Sequence, residues 1–193
     1  MSTLKVDTIL KRTGTGTITV GQSGDTISIP SGATLNSAGT NTLSGIDNGP
    51  AWHAFLSADQ NISSASETVI LFNHEALDTN SAYDTSTGRF TCPSGGAGKY
   101  LIYTQLIRNN FFNSRYLARI RVNGSHASQS EQRNSDTGGT TYQTVNITSI
   151  QTLAEGDYVD VTLYQDSGGS AGAYGTNTTN GKSIFLGHRL LGI

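Results

Sequence analysis

The residues best suited to bind a transition metal are four histidines and one cysteine, and they are scattered along the chain. His53, His74, His126 and His188 lie far apart, and none stands two or four positions from another histidine or from Cys92. Metal motifs need such spacing because it places two ligands on one face of a strand or helix. The sequence therefore predicts no metal site of this type and no bound cofactor.

Nucleophilic and phosphate chemistry also lack their usual sequence context. His74 and Asp78 could belong to a catalytic triad, but no G-x-S-x-G turn presents a serine nucleophile. The glycine-rich segments 14–16 and 95–98 do not stand between a predicted strand and a predicted helix, as phosphate-binding loops do. We interpret both segments as turns and predict that the protein is not an enzyme.

The elements that hold these residues are predicted to be short strands joined by many turns. The 193 residues include 23 glycines, and only 13% are charged, which is typical of strand-and-turn proteins rather than of amphipathic helices. A net charge of −2 offers no basic field for nucleic acid phosphates. The single cysteine excludes an intrachain disulfide, and no apolar run predicts a signal peptide or a membrane span. We therefore expect synthesis in a cytosol, with neither nucleic acid nor a membrane as a partner.

The distribution of aromatic residues divides the chain into an N-terminal arm, residues 1–49, and a head, residues 50–193. The arm contains no aromatic residue, whereas aromatics recur from Trp52 to Phe185. Segments 17–20 and 26–29 alternate polar and apolar residues, which predicts short strands. One stripe of small aliphatics is too little core for a single chain, so we expect sister chains or another protein to bury it. A flexible linker is the alternative. The predicted anchoring side chains are Leu4, Val6, Ile9, Ile18, Val20, Ile27 and Ile29.

The head consists of apolar or alternating segments bounded by turn residues, which predicts a sandwich or barrel of short strands. Two polar segments, 125–141 and 166–182, are predicted to be long exposed loops. Solvated surface is the expected role of both loops. The alternative is a glycan site with Tyr174 as an aromatic platform beside Asp166, Asn177 and Asn180. The predicted strands are residues 52–57, 68–72, 89–91, 100–107, 116–122, 142–150, 158–165 and 184–190.

Six segments of the head, in the same order along the chain, resemble the strands and turns of C1q-like globular heads. The most specific is YDTSTGRFTCP at residues 83–93, followed by GKY at 98–100. Physical reasoning agrees with this resemblance, because a turn at Thr87-Gly88 lets Phe90 point inward, while Pro93 ends the strand. The other five segments are AFLSA at 54–58, VILFN at 69–73, VNG at 122–124, LAEGDYV at 153–159 and SIFLG at 183–187.

The resemblance implies an all-β, ten-stranded C1q/TNF-like jelly-roll sandwich that follows a short β-rich arm and assembles as a homotrimer. The adjacent Phe111 and Phe112 cannot both face one core from a strand, so we expect one of them to pack across the trimer interface. Some C1q-like heads bind calcium, but no ligand spacing in this sequence assigns such a site. The collagen period that usually precedes these heads does not occur in residues 1–49.

Two arm segments, STLKVDTI at residues 2–9 and GDTISIPSGATL at 24–35, resemble segments of structural and tail-fibre proteins of tailed bacteriophages. This resemblance implies a protein located in the virion, with capsid or tail proteins as partners. The arm spans at most about 170 Å, which is short for a fibre shaft and favours a capsid decoration or cement protein. The alternatives are a short tail fibre or receptor-binding adhesin, and a free lectin-like carbohydrate-binding module. A host surface glycan would then be a further partner.

Overall fold

The structure is a computed structural model that describes residues 19–28, 30–33, 49–108, 114–134, 143–175 and 182–190. The chain divides into two units, Met1–Leu43 and Ser44–Ile193. In the first unit, the described residues form turns. The backbone N of Asp25 donates to the carbonyl of Gln22, and that of Ala33 donates to the carbonyl of Pro30, both at 3.0 Å.

The arm strands predicted at residues 17–20 and 26–29 are wrong for the parts of these segments that the structure describes. Residues 19, 20 and 26–28 form no strand, and Val20 and Ile27 are 61% and 62% exposed. A strand is held by hydrogen bonds to a neighbouring strand, and such short segments bury too little apolar surface to attract one. The anchoring residues Leu4, Val6, Ile9, Ile18 and Ile29 lie outside the described residues, so their burial by other chains stays a prediction.

The second unit is all-β in its described residues, with thirteen strands rather than the expected ten. Several of the additional strands have only two or three residues. In chain order the strands are β1 Ala51–Phe55, β2 Gln60–Ile62, β3 Ser66–Val69, β4 His74–Asp78, β5 Tyr83–Asp84, β6 Arg89–Thr91, β7 Gly98–Arg108, β8 Ser114–Val122, β9 Ser125–Asn134, β10 Gln143–Leu153, β11 Tyr158–Gln165, β12 Ala171–Ala173 and β13 Ile184–Arg189.

Two antiparallel sheets form a sandwich. The five-stranded sheet has the order β10-β7-β13-β1-β4, and the six-stranded sheet has the order β5-β6-β11-β8-β9, with β3 paired to β11. Strand β7 shows why they pack face to face: alternate residues at 100, 102, 104 and 106 are fully buried, while those at 101, 103 and 105 face outward and are partly buried. The predicted all-β jelly-roll class is confirmed for the head.

Trp52 joins the two sheets at the centre of the core. Its ring stacks on Phe90 of β6 with 3.9 Å between ring centroids and meets the edge of Phe185 of β13 at 5.3 Å. Gly187 pairs with Trp52 across β13 and β1. A Cβ atom at Gly187 would lie 2.3 Å from the indole Cη2 atom, so only glycine leaves room for the ring.

The turn predicted at Thr87-Gly88 is confirmed. Gly88 has a φ of +69° and donates its backbone N–H to the carbonyl of Asp84 at 2.8 Å. A Cβ atom at Gly88 would lie 2.6 Å from the carbonyl oxygen of Ile70, which is a second reason for glycine at this position. Phe90 follows the turn and is fully buried, as expected.

Three expectations about the head are wrong in detail. Segment 125–141 contains strand β9, because a polar sequence can still pair along the edge of a sheet with one face in solvent. Segment 166–182 contains the short strand β12, which pairs with β2. Strand β11 does not alternate between buried and exposed residues. Its outward-facing Asp160 and Thr162 are buried because charged side chains of neighbouring strands cover them.

Candidate functional site

The outer face of the five-stranded sheet carries three rows of side chains without a single Asp, Glu, Lys or Arg. Residues paired across antiparallel strands point to the same face, so the strand register fixes these rows. In the central row, Tyr103 pairs with Leu186, which pairs with His53, and His53 pairs with Leu77. We call this set the uncharged face: Ala51, His53, Phe55, His74, Leu77, Leu101, Tyr103, Gln105, Asn146, Thr148, Ile150, Ile184, Leu186 and His188.

Large apolar side chains of the uncharged face are open to solvent in the single chain. Ile150 is 58% exposed and Leu77 is 49% exposed, at opposite ends of the sheet. Leu101 and Leu186 between them are partly buried. The core of a protein–protein interface is depleted in charged residues and enriched in apolar and aromatic ones. The uncharged face has this composition, with Lys99 at its margin.

The polar groups of the uncharged face bond mainly to one another. The Tyr103 hydroxyl lies 3.3 Å from Gln105 Oε1 and 3.4 Å from Asn146 Oδ1, and Gln105 Nε2 donates to the backbone carbonyl of Lys182 at 2.9 Å. These contacts pair polar groups of Tyr103, Gln105 and Asn146 within the single chain. A second protein surface could therefore cover this face at a small desolvation cost.

His53 occupies the middle of the uncharged face. Its Nε2 atom is enclosed and has no hydrogen-bond partner among the described residues. Burial lowers the pKa of the His53 imidazole, because an enclosed ring resists taking up a charge. The nearby Phe55 ring packs 4.5 Å from the His74 ring, centroid to centroid.

The outer face of the six-stranded sheet is, in contrast, densely charged. The carboxylate of Asp160 is fully buried, accepts hydrogen bonds from Arg121 at 2.7 and 2.9 Å, and lies 3.3 Å from Arg89 Nε. Arg89 also lies over the Tyr158 ring at 4.2 Å. A similar arrangement surrounds Glu67. The charged side chains of this face are therefore paired with one another within the single chain.

Glu67 shows how the ion pairs affect the pKa of a carboxylate on this face. Partial burial opposes its charge, but the Thr162 hydroxyl, Arg119 and His126 together outweigh burial and lower the pKa of Glu67. The corresponding contacts are 2.5 Å to Thr162, 2.6 Å to Arg119 and 3.1 Å to His126. Glu131 is similar, because hydrogen bonds from Arg115 and Arg133 lower its pKa. The arginines of these ion pairs are thus matched by carboxylates of the same chain.

The structure brings together only part of the predicted glycan site. Tyr174 lines a cavity of about 190 Å³ with Asp59 and Asn61, and the Lys182 ammonium lies 4.1 Å from its ring centroid. Asp166 does not line this cavity, and its Oδ1 accepts a hydrogen bond from the backbone N of Arg115 at 2.6 Å. Asn177 and Asn180 lie outside the described residues. Glycan binding stays a prediction.

Two further expectations are not tested by the described residues. Phe111 and Phe112, the predicted trimer contacts, lie in the part of the chain that is not described. Across the described ranges, no group of three or more His, Cys, Asp and Glu side chains could hold a metal ion. The same ranges contain no helix long and apolar enough to cross a membrane.

Sequence reasoning missed the uncharged face, although one signal was available. From Tyr100 to Ile107, strand β7 has no charged residue on either alternating set of positions. A strand with one face in water normally alternates polar and apolar residues. A strand that has no charged residue on either face indicates that both faces are covered. The partners of β7 in β13 and β1 come from distant parts of the sequence, so the full surface requires the fold.

Comparison with known families agrees with this architecture. The family model of the C1q domain matches residues 51–190, and the chain belongs to the C1q domain family. Domains of the C1q and TNF-like families are ligand-binding or structural rather than catalytic. A comparison with curated proteins gives no match.

Solved structures show the same fold at low sequence identity. The globular domain of zebrafish complement 1qA protein is 17% identical, with a TM-score of 0.53 over 74% of this chain and 98% of that chain. Eiger TNF from S. frugiperda is 15% identical, with a TM-score of 0.56 over 74% of this chain and 93% of that chain. Murine APRIL is 10% identical, with a TM-score of 0.53 over 72% and 98%.

Proposed function

We propose that this protein is a non-enzymatic homotrimer whose heads pack through the uncharged face. The observation that supports the proposal is the contrast between the two sheets, one without Asp, Glu, Lys or Arg across three rows and one covered by ion pairs. Relatives with C1q and TNF-like domains are typically homotrimers. A threefold arrangement buries the same face of each chain and leaves none exposed.

A charged substitution in the centre of the uncharged face tests the proposal. Leu186 is only partly buried in the single chain, so Leu186→Asp can be solvated in a monomer but not in a trimer. We expect wild-type protein to have three times the monomer mass by light scattering and Leu186→Asp to have the mass of a monomer. The matched control is Leu71→Asp, because Leu71 is 39% exposed and does not belong to the uncharged face.

Two results would contradict parts of this proposal. A wild-type monomer at micromolar concentration would contradict the trimer. If the Leu186→Asp variant is trimeric, the contact between subunits lies on another surface, and Phe111 and Phe112 are the first candidates. Circular dichroism of each variant checks that the β structure is retained.

For the biological role, we propose a virion component in which the head is displayed and the arm attaches to the particle. The support is the resemblance of residues 2–9 and 24–35 to phage structural segments, together with the solvent exposure of Val20 and Ile27 in the single chain. Exposed aliphatic side chains at alternating positions gain stability when sister chains or a capsid protein cover them. The short arm favours a decoration or cement protein.

Deletion of residues 1–49 tests the anchoring role. We expect the head to remain trimeric and to lose its incorporation into virus particles, whereas Tyr174→Ala in the full chain should incorporate normally. If the truncated head still decorated particles at full occupancy, the head itself would be the anchor. Particles that lack a cement protein should leak DNA on heating, while particles that lack a short tail fibre should stay intact and adsorb poorly to cells.

A free lectin-like module is the second candidate function. The cavity that Tyr174 lines with Asp59 and Asn61 favours it, because sugars bind an aromatic ring beside amides and carboxylates. A glycan array with wild-type protein and Tyr174→Ala tests this candidate. Binding that is lost in Tyr174→Ala would support it, and the same signal in both proteins would place any glycan elsewhere.

A further inference from the structure

Three of the four histidines in the chain belong to the uncharged face. His53 stands in its central row, His188 stands in the row on one side and His74 in the row on the other. The fourth, His126, lies on the other sheet, 3.1 Å from Glu67. Histidine is the side chain whose charge ordinarily changes in the mildly acidic range. The uncharged face therefore carries most of the histidines of the chain, although it carries no Asp, Glu, Lys or Arg.

Among the described residues of the adjacent strands β13 and β4, no acidic side chain pairs with His53. Facing it from β13 are Leu186 and, one row away, His188, and facing it from β4 are Leu77 and His74. The nearest acidic residues of β4 are Glu75 and Asp78, which pair with the neighbours of His53 that point into the core. The Asp78 carboxylate accepts hydrogen bonds from the backbone N atoms of Tyr83 and Asn80.

We propose that His53 makes the trimer pH-sensitive, so that its protonation loosens the contact between subunits in mildly acidic solution. This inference rests on the proposed trimer through the uncharged face. A charge in the middle of a dry interface costs the desolvation of the imidazolium, and three symmetry-related copies would repel one another.

The direction of the effect follows from proton linkage. Burial already lowers the pKa of His53 in the single chain, and a second subunit over the ring would lower it further. Between these two pKa values, free subunits bind more protons than the trimer does. The association constant therefore falls as the pH falls through this window, by up to about three logarithmic units per pH unit if each subunit takes up one proton.

Ion pairs elsewhere should contribute little in the same window. The pKa of Glu67 and that of Glu131 lie below their ordinary values, so both carboxylates stay ionised above about pH 5. His126 is the histidine that could add a separate effect, and it does not belong to the uncharged face. It therefore provides the matched control.

Subunit exchange between full-length trimers carrying different fluorophores tests the inference. We expect exchange at about pH 5.5 to be at least about tenfold faster than at about pH 8 in wild type and in His126→Gln. In His53→Gln, a neutral residue replaces the titrating group, and the ratio of the two rates should fall below about threefold. His53→Asn is the second variant if His53→Gln does not fold.

The possible results distinguish a failure of the pH dependence from a failure of the proposed trimer. A wild-type trimer that exchanges at the same rate at both pH values would overturn the inference and leave the trimer intact. An unchanged pH dependence in His53→Gln would also overturn it. A protein that is monomeric at about pH 8 would overturn both. A nuclear magnetic resonance titration of the His53 ring gives an independent check, since its midpoint should lie below the ordinary value of a histidine.

Discussion

Replacement of Gly187 by alanine should destabilise the head through a single contact. The added Cβ atom would lie 2.3 Å from Cη2, 2.7 Å from Cζ2 and 2.8 Å from Cζ3 of the Trp52 indole. The ring cannot move away freely, because it stacks on Phe90 at 3.9 Å and meets Phe185. Overpacking of a rigid core typically costs 1–3 kcal/mol, and we expect about 3 kcal/mol here because three ring atoms overlap at once.

A double-mutant cycle isolates this contact. Trp52→Phe removes the outer part of the indole, so Gly187→Ala should cost less than about 1 kcal/mol in that background, with a coupling energy of about 2 kcal/mol. Urea unfolding should be followed by far-ultraviolet circular dichroism, because Trp52 is the only tryptophan and its fluorescence is lost in two of the variants. All four proteins are compared at one concentration, since the proposed trimer would unfold in a concentration-dependent manner. Additive effects, or an unchanged urea midpoint for Gly187→Ala, would refute the reasoning.

Three other predictions concern ion pairs and metals. Asp160→Asn should lower the free energy of unfolding, measured with urea, by about 3 kcal/mol, because the buried carboxylate forms ion pairs with Arg121 and Arg89. An unchanged free energy would show that both arginines are fully solvated without this carboxylate. Glu67 has a lowered pKa, so its stabilisation is present above about pH 4.5 and is lost as the pH falls. Glu67→Gln should therefore lower the melting temperature at neutral pH and have less effect at about pH 3. EDTA should leave the melting temperature within a few degrees, and a large drop that calcium reverses would reveal converging aspartates.

Local sequence was enough to predict the elements whose structure depends on near neighbours. The turn at Thr87-Gly88 and the burial of Phe90 were predicted from the short segment 83–93 alone. The apolar strands β7, β8 and β11 carry enough aliphatic and aromatic residues to identify them directly. The C1q-like segments are of this kind, which is why a short pattern of turn and core residues was sufficient to predict the fold class.

The features that were missed depend on partners that are distant in the sequence. Strand β9 has almost no apolar residues and exists because β8 provides its hydrogen bonds. Asp160 is buried because Arg121 and Arg89 come from two other strands. The uncharged face joins residues near position 53 to others near position 186, and no local pattern predicts which rows they share. Sequence alone therefore predicted the class of fold better than the surface through which we propose that the subunits assemble.

The tight turn between β8 and β9 has a consequence for the chemical lifetime of the protein. Asn123 and Gly124 both have positive φ, and an Asn-Gly pair is a favoured site of spontaneous deamidation, because glycine lets the backbone nitrogen attack the side-chain amide. Here Asn123 Nδ2 donates to Asp157 at 2.8 Å, and its Oδ1 accepts from the backbone N of Tyr158 at 3.0 Å. These two bonds restrain the rotation that ring closure requires. Folding should therefore slow the deamidation of Asn123 relative to the unfolded chain.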